Sequence, residues 1–518
     1  MESKLDKVER SYDIVIIGYG PVGQFCSAIL DKYKLNIAVI ETYPNIYPFP
    51  RAIAMDDEIQ RLMNSLGLWE KFKEKTIVPE FVDFVFPNGK VVQRGPVAVT
   101  SNGYPFVTMF YQPELEDLLR SYVNEKENID VFLEHELINF KEEAGAINLS
   151  IKNNKENKLL KFKTKYLLAC DGSKSFVRNK LNIGTVDLKY SKEWLVVDVN
   201  LLDSNETEKV ARQICDPVRP TTYTLSPGNR HRWEFQLLAG ERANKMLKEE
   251  TISRLISPWL EKNRYELDRV AVYNFRGVHA EELRHKNIFL LGDAAHQMPP
   301  FAGQGMNSGI RDASNLCWKL AMVLKNGCGD EILDSYQSER IDQIQGTIKS
   351  SIALGKLLDS LSLAYKRNTP LEEAVAPEAR EQAYGGKKSF ADRSIKKGIF
   401  SSFKKDMNAG KSIQKAKFKN RSNELFIDDL IDFHFSLIVN GDPSNLLNEK
   451  TLNAFKEIDT VFVNTNDYRI QNTRFQDIME TGSIIVRPDK SIYGTTSDNV
   501  SLQELSDNLF SALCYNKS

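Results

Sequence analysis

Apolar and polar positions change their spacing several times along the 518 residues of the chain, and each change marks an element. Residues 12–17, YDIVII, are apolar apart from Asp13, the pattern a parallel strand shows when both of its faces are buried. Val22, Cys26, Ile29 and Leu30 then recur at helical spacing, and a second apolar run, 36–40, ends in Glu41. Residues 78–111 alternate Val and Phe with polar residues around Asn88-Gly89, which predicts a hairpin. Gln112-Pro113-Glu114 opens a helix with Leu115, Leu118, Leu119 and Tyr122 inward, and runs at 130–133 and 161–168 predict further strands.

From Trp194 to Val278 the texture differs. WLVVDVNL, TTYTL, HRWEFQLL and VAVYNFRGV are strand-like and joined by polar turns, with one helical piece around 245–259, so an antiparallel sheet is inserted here. Residues 287–291 return to the buried-strand pattern and stop at Gly292-Asp293. A loop with Pro299, Pro300, Gly303 and Gly305 follows, and then a helix with Ile310, Ala313, Cys317, Leu320 and Leu324 on one face. Residues 333–358 continue helical, 367–424 are polar and basic, and short strands at 435–439, 460–463 and 483–486 precede a final helix over 502–513.

Composition is that of a globular protein, 42% hydrophobic and 27% charged. A net charge of −1 argues against nucleic acid or a membrane surface as a bulk partner. The basic run Lys396, Lys397, Lys404, Lys405, Lys415, Lys417, Lys419 and Arg421 therefore reads as a linker or wrapping segment. No apolar stretch approaches the roughly 20 residues of a membrane span, and the charged start MESKLDKVERSYD is unlike a signal peptide. The six cysteines have no metal-like spacing and read as reduced thiols, which points to the cytoplasm.

Candidate chemistry gathers at strand ends. Gly18-Tyr19-Gly20-Pro21-Val22-Gly23 follows the first strand, and Glu41 ends the second about 20 residues on, as in a dinucleotide fingerprint. Arg51, in a Pro-rich loop, is placed to reach cofactor phosphates. Asp56, Asp57 and Glu58 suit a helix start. Gln112 either caps its helix or contacts the bound ligand. Asp171-Gly172 and Gly292-Asp293 put two further acids at strand ends, and the helix after Gly305 offers free N–H groups to an anionic or planar ligand. Arg219, Arg230, His231 and Arg232 read first as a solvated sheet face, second as a carboxylate-recognition patch. No Ser/His/Asp triad and no metal cluster is visible.

In this order, Gly18-x-Gly20-x-x-Gly23, Asp171-Gly172 and Gly292-Asp293 resemble the signature of the FAD-dependent aromatic hydroxylases related to p-hydroxybenzoate hydroxylase. GDAAHQMPPFAGQGMNSGIRDASNLCWKL, RAIAMDDE, CDPVRPTTYTLSPGNRHRWEF and VRPDKSIYG resemble most the 3-(3-hydroxyphenyl)propionate/3-hydroxycinnamate hydroxylase group. The resemblance implies an α/β fold: a Rossmann-like FAD-binding domain over 1–77, 112–186 and 280–365; an inserted antiparallel-sheet substrate domain over 78–111 and 187–279; a linker over 366–424; and a thioredoxin-like domain over 425–518. That last domain holds only Cys514, so a thiol-redox role is not expected.

It also implies site roles. Gly18, Gly20, Pro21, Val22, Gly23 and Glu41 would hold the ADP half of FAD, with Arg51 and Gln112 toward the pyrophosphate and flavin. Gly292 and Asp293 would take the ribityl chain, and Pro300, Ala302, Gly303, Gln304, Gly305, Met306 and Asn307 would line the flavin ring. Asp171 and Gly172 would serve FAD and a transient NADH or NADPH. His296 and Pro300 are the flavin-adjacent catalytic candidates. The implied reaction is hydroxylation of a small phenolic substrate with O2 through a flavin C4a-hydroperoxide. Two alternatives stay open: a flavin hydroxylase acting on a polyketide, quinolone or antibiotic, and a non-enzymatic dinucleotide-fold scaffold. The C-terminal domain offers a contact surface for a homodimer.

Overall fold

The computed structural model describes residues 9–143, 145–203, 208–370, 393–403, 406–420, 423–480 and 482–515. Lys404, Lys405 and Arg421 of the basic run lie outside the described residues. Among the described residues no helix is long and apolar enough to cross a membrane, and no group of His, Cys, Asp or Glu could hold a metal ion.

The first apolar run is strand Glu9–Ile17, with Ile14, Val15 and Ile16 fully buried. It lies between parallel strands Ile37–Glu41 and Lys158–Ala169, with Ile288–Leu290 beyond the latter and Ile129–Leu133 beyond the former. Register brings their carboxyl ends level. Ile17 stands beside both Ile40 and Ala169, and Ala169 beside Leu290. Backbone bonds hold the ends together: Gly18 N–H donates to Ile40 at 2.9 Å, Cys170 N–H to Ile17 at 2.8 Å, and Leu291 N–H to Ala169 at 3.0 Å. The three acidic strand ends therefore share one edge of the sheet.

Two long strands, Thr185–Leu201 and Tyr265–Ala280, carry the chain into and out of a second, eight-stranded sheet. That sheet is antiparallel as expected, with one exception: Val210–Ile214 runs parallel to Phe81–Val85. The hairpin of Phe81–Val85 and Val91–Pro96 sits at its edge, but Val107–Phe110 leaves it to pair with Ala54–Asp56 and Thr76–Ile77 in a separate three-stranded sheet.

The period-2 alternation of the inserted sheet separates two faces. Leu195, Val197, Trp233 and Phe235 pack against helices Ala243–Met246 and Glu249–Ile256. Trp194, Val196 and Asp198, with Arg232, Glu234 and Gln236 across from them, point the other way, toward the first sheet.

The C-terminal sheet has the order Val461–Asn464, Ser436–Val439, Ile484–Val486, Ile492–Thr495, with only the first pair parallel. That is the strand order of the thioredoxin-like fold. Lys417–Lys419, within the segment expected to be linker, is the central strand of a three-stranded sheet beside it. Upstream, Ile395 and Ile399 are buried, and Arg393 pairs with Asp57 at 3.0 Å and Asp56 at 3.3 Å.

Candidate active site

At the fingerprint end the glycines divide by task. A Cβ on Gly18, whose φ is +98°, would lie 2.3 Å from the Cys170 carbonyl oxygen, and one on Gly23 would lie 2.1 Å from that of Gly18. Both are there for close packing. A Cβ on Gly20 would meet nothing within 4 Å, so the backbone there faces open space. Helix Pro21–Lys32 begins at Gly20 with no side-chain cap, leaving first-turn N–H groups for an anion. Glu41 is held beside it: Oε2 accepts from Tyr19 N–H at 2.8 Å and Oε1 from Tyr43 N–H at 2.9 Å. Each oxygen keeps acceptor capacity for a hydroxyl.

The second helix start repeats this chemistry. Gly303 is left-handed, φ +62°, and ends the turn Pro300–Ala302. Helix Gln304–Lys325 then begins without a side-chain cap, and Gly305, like Gly20, has open space where a Cβ would be. Gly292 and Gly309 let the two helices and the strand end close on Val22, whose Cγ2 would lie 2.9 and 2.6 Å from Cβ atoms at those positions. Asp293 is open to the cleft but ringed by protein. Loss of surrounding water pushes its carboxyl above the usual range, against the pull of His296 and Arg51.

Asp171 also faces this edge. Its Oδ2 accepts from Val177 N–H at 3.1 Å, while Oδ1 is buried without a partner. Arg178, which the sequence did not single out, donates to the Ala294 carbonyl at 2.8 Å and to Ser173 at 3.0 Å, joining the two loops. Its one signal was its place in the DGSKSFVR string.

Three expected ligand contacts and one catalytic candidate are turned inward. Gln112 is buried; its Oε1 accepts from Arg51 N–H at 2.9 Å and Ala52 N–H at 2.7 Å, and its Nε2 donates to Glu116 at 2.8 Å. It fixes the Arg51 loop from behind. Asn307 donates to Gly303 at 2.7 Å and Ala54 at 3.1 Å and accepts from Asp56 N–H at 3.2 Å. Gln304 accepts from Arg311 at 3.0 Å. His296 sits under the loop, its Nε2 2.8 Å from Asp312 Oδ2, with both side chains fully buried. Asp312 also accepts from Gly292 N–H at 3.0 Å and Arg340 Nε at 2.8 Å. Burial acts to raise the Asp312 carboxyl, but His296 and Arg340 hold it below the usual range. His296 is thus a support for the Gly292 turn, not a group on the open face.

Arg51 is exposed, its guanidinium 4.8 Å from the Tyr47 ring centroid. Asp56 caps helix Asp57–Ser65 by accepting from Ile59 N–H at 3.2 Å, as its acidic start suggested, and it also pairs with Arg311. The basic patch departs from the solvated face expected of it. Arg232 is buried against Asp198, Nε to Oδ1 2.6 Å, and donates to the carbonyls of Pro50 at 2.6 Å and Arg51 at 3.1 Å. Arg219 pairs with Glu241, and Arg230 lies over Tyr111. At the other end of this sheet face, Trp194 packs on Phe301 with ring centroids 5.4 Å apart.

The arrangement fits FAD. Four strand ends are level, two uncapped helix starts flank open glycines, and an orphaned Asp171 oxygen lies between them.

Known proteins give the same answer. A 3-(3-hydroxy-phenyl)propionate/3-hydroxycinnamic acid hydroxylase of Shigella sonnei (strain Ss046) is 33% identical over 352 residues, 68% of this chain and 63% of the relative. The protein of that name from Escherichia coli (strain K12 / DH10B) matches to the same extent. The match thus spans 63% of these relatives' length. Two solved structures share the fold. The flavin-dependent monooxygenase PieE, in complex with FAD and substrate, superposes with a TM-score of 0.82 at 16% identity, covering 97% of this chain and 99% of its own. Aklavinone-11 hydroxylase with FAD and aklavinone gives 0.79 at 18%, covering 98% and 99%. The model of one family, described as FAD binding domain, matches residues 11–351, the stretch that builds both helix starts and the sheet between them, and the chain belongs to that family.

Proposed function

We propose that the chain is an FAD-dependent monooxygenase that uses NADH or NADPH and O2 to hydroxylate a phenolic ring, with 3-(3-hydroxyphenyl)propionate-like compounds as the substrate class. The observation that carries this reading is the Phe301–Trp194 contact, which joins the loop ahead of an uncapped helix to the mixed aromatic and polar face of the inserted sheet. Bound flavin supplies hydride acceptance from the nicotinamide and activation of O2 for transfer of one oxygen atom to a ring carbon.

The chain's own residues orient and screen. In this reading the Gly20–Gly23 helix start takes the pyrophosphate, and Glu41 takes the adenosine ribose. Arg51 faces the phosphates, and Asp293 accepts from ribityl hydroxyls. Pro300, Ala302, Gly303, Gly305 and Met306 bound the ring, and the dipole of Gln304–Lys325 stabilises negative charge at its edge. Asp171 and Gly172 lie where a nicotinamide nucleotide would approach. Trp194, packed on Phe301, excludes water from the aromatic end of the sheet face.

The six cysteines form no disulfide, which suits a cytoplasmic location, and the reaction itself suits a place in the breakdown of aromatic compounds. In this reading the C-terminal domain, where Leu446 is exposed, offers the contact surface of a homodimer, which sedimentation would detect.

The test is NADH and NADPH oxidation by the FAD-loaded protein across a panel of phenols, with mass spectrometry of the products. The panel includes 3-(3-hydroxyphenyl)propionate, 3-hydroxycinnamate and a polycyclic phenol. Stimulated oxidation with one oxygen atom added to a phenol is expected. No stimulation and no oxygenated product would overturn the proposal, and a protein that stays colourless after FAD addition would favour a binding scaffold.

A further inference from the structure

Between the Trp194 end and the Arg232 end of the inward sheet face stands a carboxyl that no role above uses. Glu234 is 6% exposed, opposite Val196 on one neighbouring strand and Thr222 on the other. It therefore shares its face with Arg232 and Gln236, while Trp233 and Phe235 enter the helix-side core. Among the described residues no hydrogen bond reaches its carboxylate. The nearest cation, Arg232 Nη1, is 3.8 Å away, too far for a hydrogen bond. Asp198, one register step along, is by contrast bonded twice by Arg232, at 2.6 and 3.1 Å.

The position is bracketed. Arg232, two residues back on the strand, touches the Pro50–Arg51 loop, and Trp194, two residues from Val196, touches Phe301. Glu234 thus lies between the two places where this sheet meets the loops assigned to the cofactor. Its oxygens are not among the fully buried atoms that lack a partner, so this mostly buried carboxylate still borders open space, from which a ligand can offer it the hydrogen bond the protein does not.

We propose that Glu234 accepts the ring hydroxyl of the substrate, first as a hydrogen bond and then, as oxygen is inserted, as a proton. The inference rests on the hydroxylase reading above. The phenolic O–H bond breaks, an O–H bond forms on the Glu234 carboxylate, and the electron pair left on oxygen enriches the ring carbons ortho and para to it. The oxygenated ring carbon then releases its hydrogen as a proton to water, the C–H electron pair restores aromaticity and shifts charge back to the ring oxygen, and Glu234 returns its proton there. The aromatic end of the face takes the ring, and Glu234 selects a ligand with a hydrogen to donate.

Burial raises the Glu234 carboxyl above the usual range; Arg232 opposes this, Asp198 adds to it and Arg269 opposes it. Those are the charges that act on it: Arg232 from its own strand, Asp198 and Arg269 from strands Thr185–Leu201 and Tyr265–Ala280. The neighbouring strand Thr221–Leu225 presents uncharged Thr222 and Thr224, and the adjoining loop carries Arg51.

The experiment titrates phenol into the oxidised, FAD-loaded protein and follows the flavin spectrum across pH, then repeats turnover with Glu234→Gln and Glu234→Asp. Wild-type affinity for phenol should fall as pH drops through the Glu234 pKa, and in Glu234→Gln it should be flat. For turnover, Glu234→Gln should lose about 100-fold in kcat with KM little changed and no acid limb, and Glu234→Asp should recover part of the rate. Equal pH dependence of phenol binding in wild type and Glu234→Gln would overturn the proposal, as would an unchanged kcat. Binding requires no turnover, so failure to oxygenate any phenol would count against the hydroxylase reading and leave the binding result to judge Glu234.

Discussion

Arg487 of the C-terminal sheet reaches Glu339 of helix Ser335–Arg367 in the middle of the molecule, Nη2 to Oε2 at 2.7 Å and Nη1 to Oε1 at 3.0 Å, with both side chains at 0% exposure. Lys319 of the helix that starts at Gln304 joins the same carboxylate at 2.9 Å, and Ile399 N–H donates to it at 2.8 Å. The C-terminal region is thereby tied to the helix assigned to the flavin.

Removing both partners should cost less than the sum of removing each. Arg487→Met leaves Glu339 buried with only part of its compensation, which typically costs about 3–5 kcal/mol. Arg487→Met combined with Glu339→Met should lose less than the sum of the two single losses, yet not return to wild type, because Lys319 and Asp489 then lose their buried partners. Urea unfolding of the two single variants and the double variant measures the coupling. Additive losses would mean that the pair is not a unit.

The same carboxyl sets an acid limit on stability. Burial works to raise Glu339, but Arg487 and Lys319 bring it from its ordinary 4.5 to about 2. Its folded pKa lies below its unfolded one, so its contribution is complete above about pH 4.5 and is lost as pH falls toward 2. Unfolding free energy should drop by on the order of 3 kcal/mol across that window from this group. The slope should shrink in Glu339→Gln.

Gln112 should behave as a support, not a ligand. Gln112→Met removes the acceptor for the Arg51 and Ala52 N–H groups and unfastens the loop that carries Arg51. FAD affinity should fall about tenfold, the equivalent of about 1.4 kcal/mol, measured by fluorescence on release of flavin. Stability without FAD should fall by a comparable amount, and an affinity loss with no stability loss would mean that Gln112 touches the cofactor directly.

What was legible in the sequence was local. An apolar run, a glycine turn and an acid at a strand end are neighbours in the chain, so 12–41 and 287–320 could be read as strand, turn and helix and placed on one edge. Roles that depend on distant partners were not legible. His296 is in the loop as expected, but Asp312, which claims it, is sixteen residues on and Arg340 lies on another helix. Arg232 and Glu234 alternate with Trp233 and Phe235 in HRWEFQ, so two faces were visible. Which face meets the cofactor loops depends on how two sheets pack. Arg487 and Glu339 stand 148 positions apart, and no periodicity links them.

The glycines give the sharpest test of how the fold and the site share residues. Gly23→Ala puts a methyl 2.1 Å from the Gly18 carbonyl oxygen, a clash of backbone against backbone that nothing flexible can relieve. It should destabilise the protein before any ligand is added, by more than about 2 kcal/mol as overpacking typically does. Gly20→Ala and Gly305→Ala meet nothing within 4 Å, and neither residue has the positive φ that a side chain would resist. Both should fold with unchanged or slightly raised stability, since alanine restricts the unfolded chain. Their methyls would instead occupy the space in front of an uncapped helix start, where a pyrophosphate or a flavin edge must approach the N–H groups closely. Each should weaken FAD binding by tenfold or more, about 1.4 kcal/mol, with melting of the FAD-free protein unmoved. Titration calorimetry with FAD beside thermal melts of the stripped protein separates the two classes. If Gly20→Ala and Gly305→Ala bound FAD as the wild type does, the ligand would have to lie elsewhere than over these two helix starts.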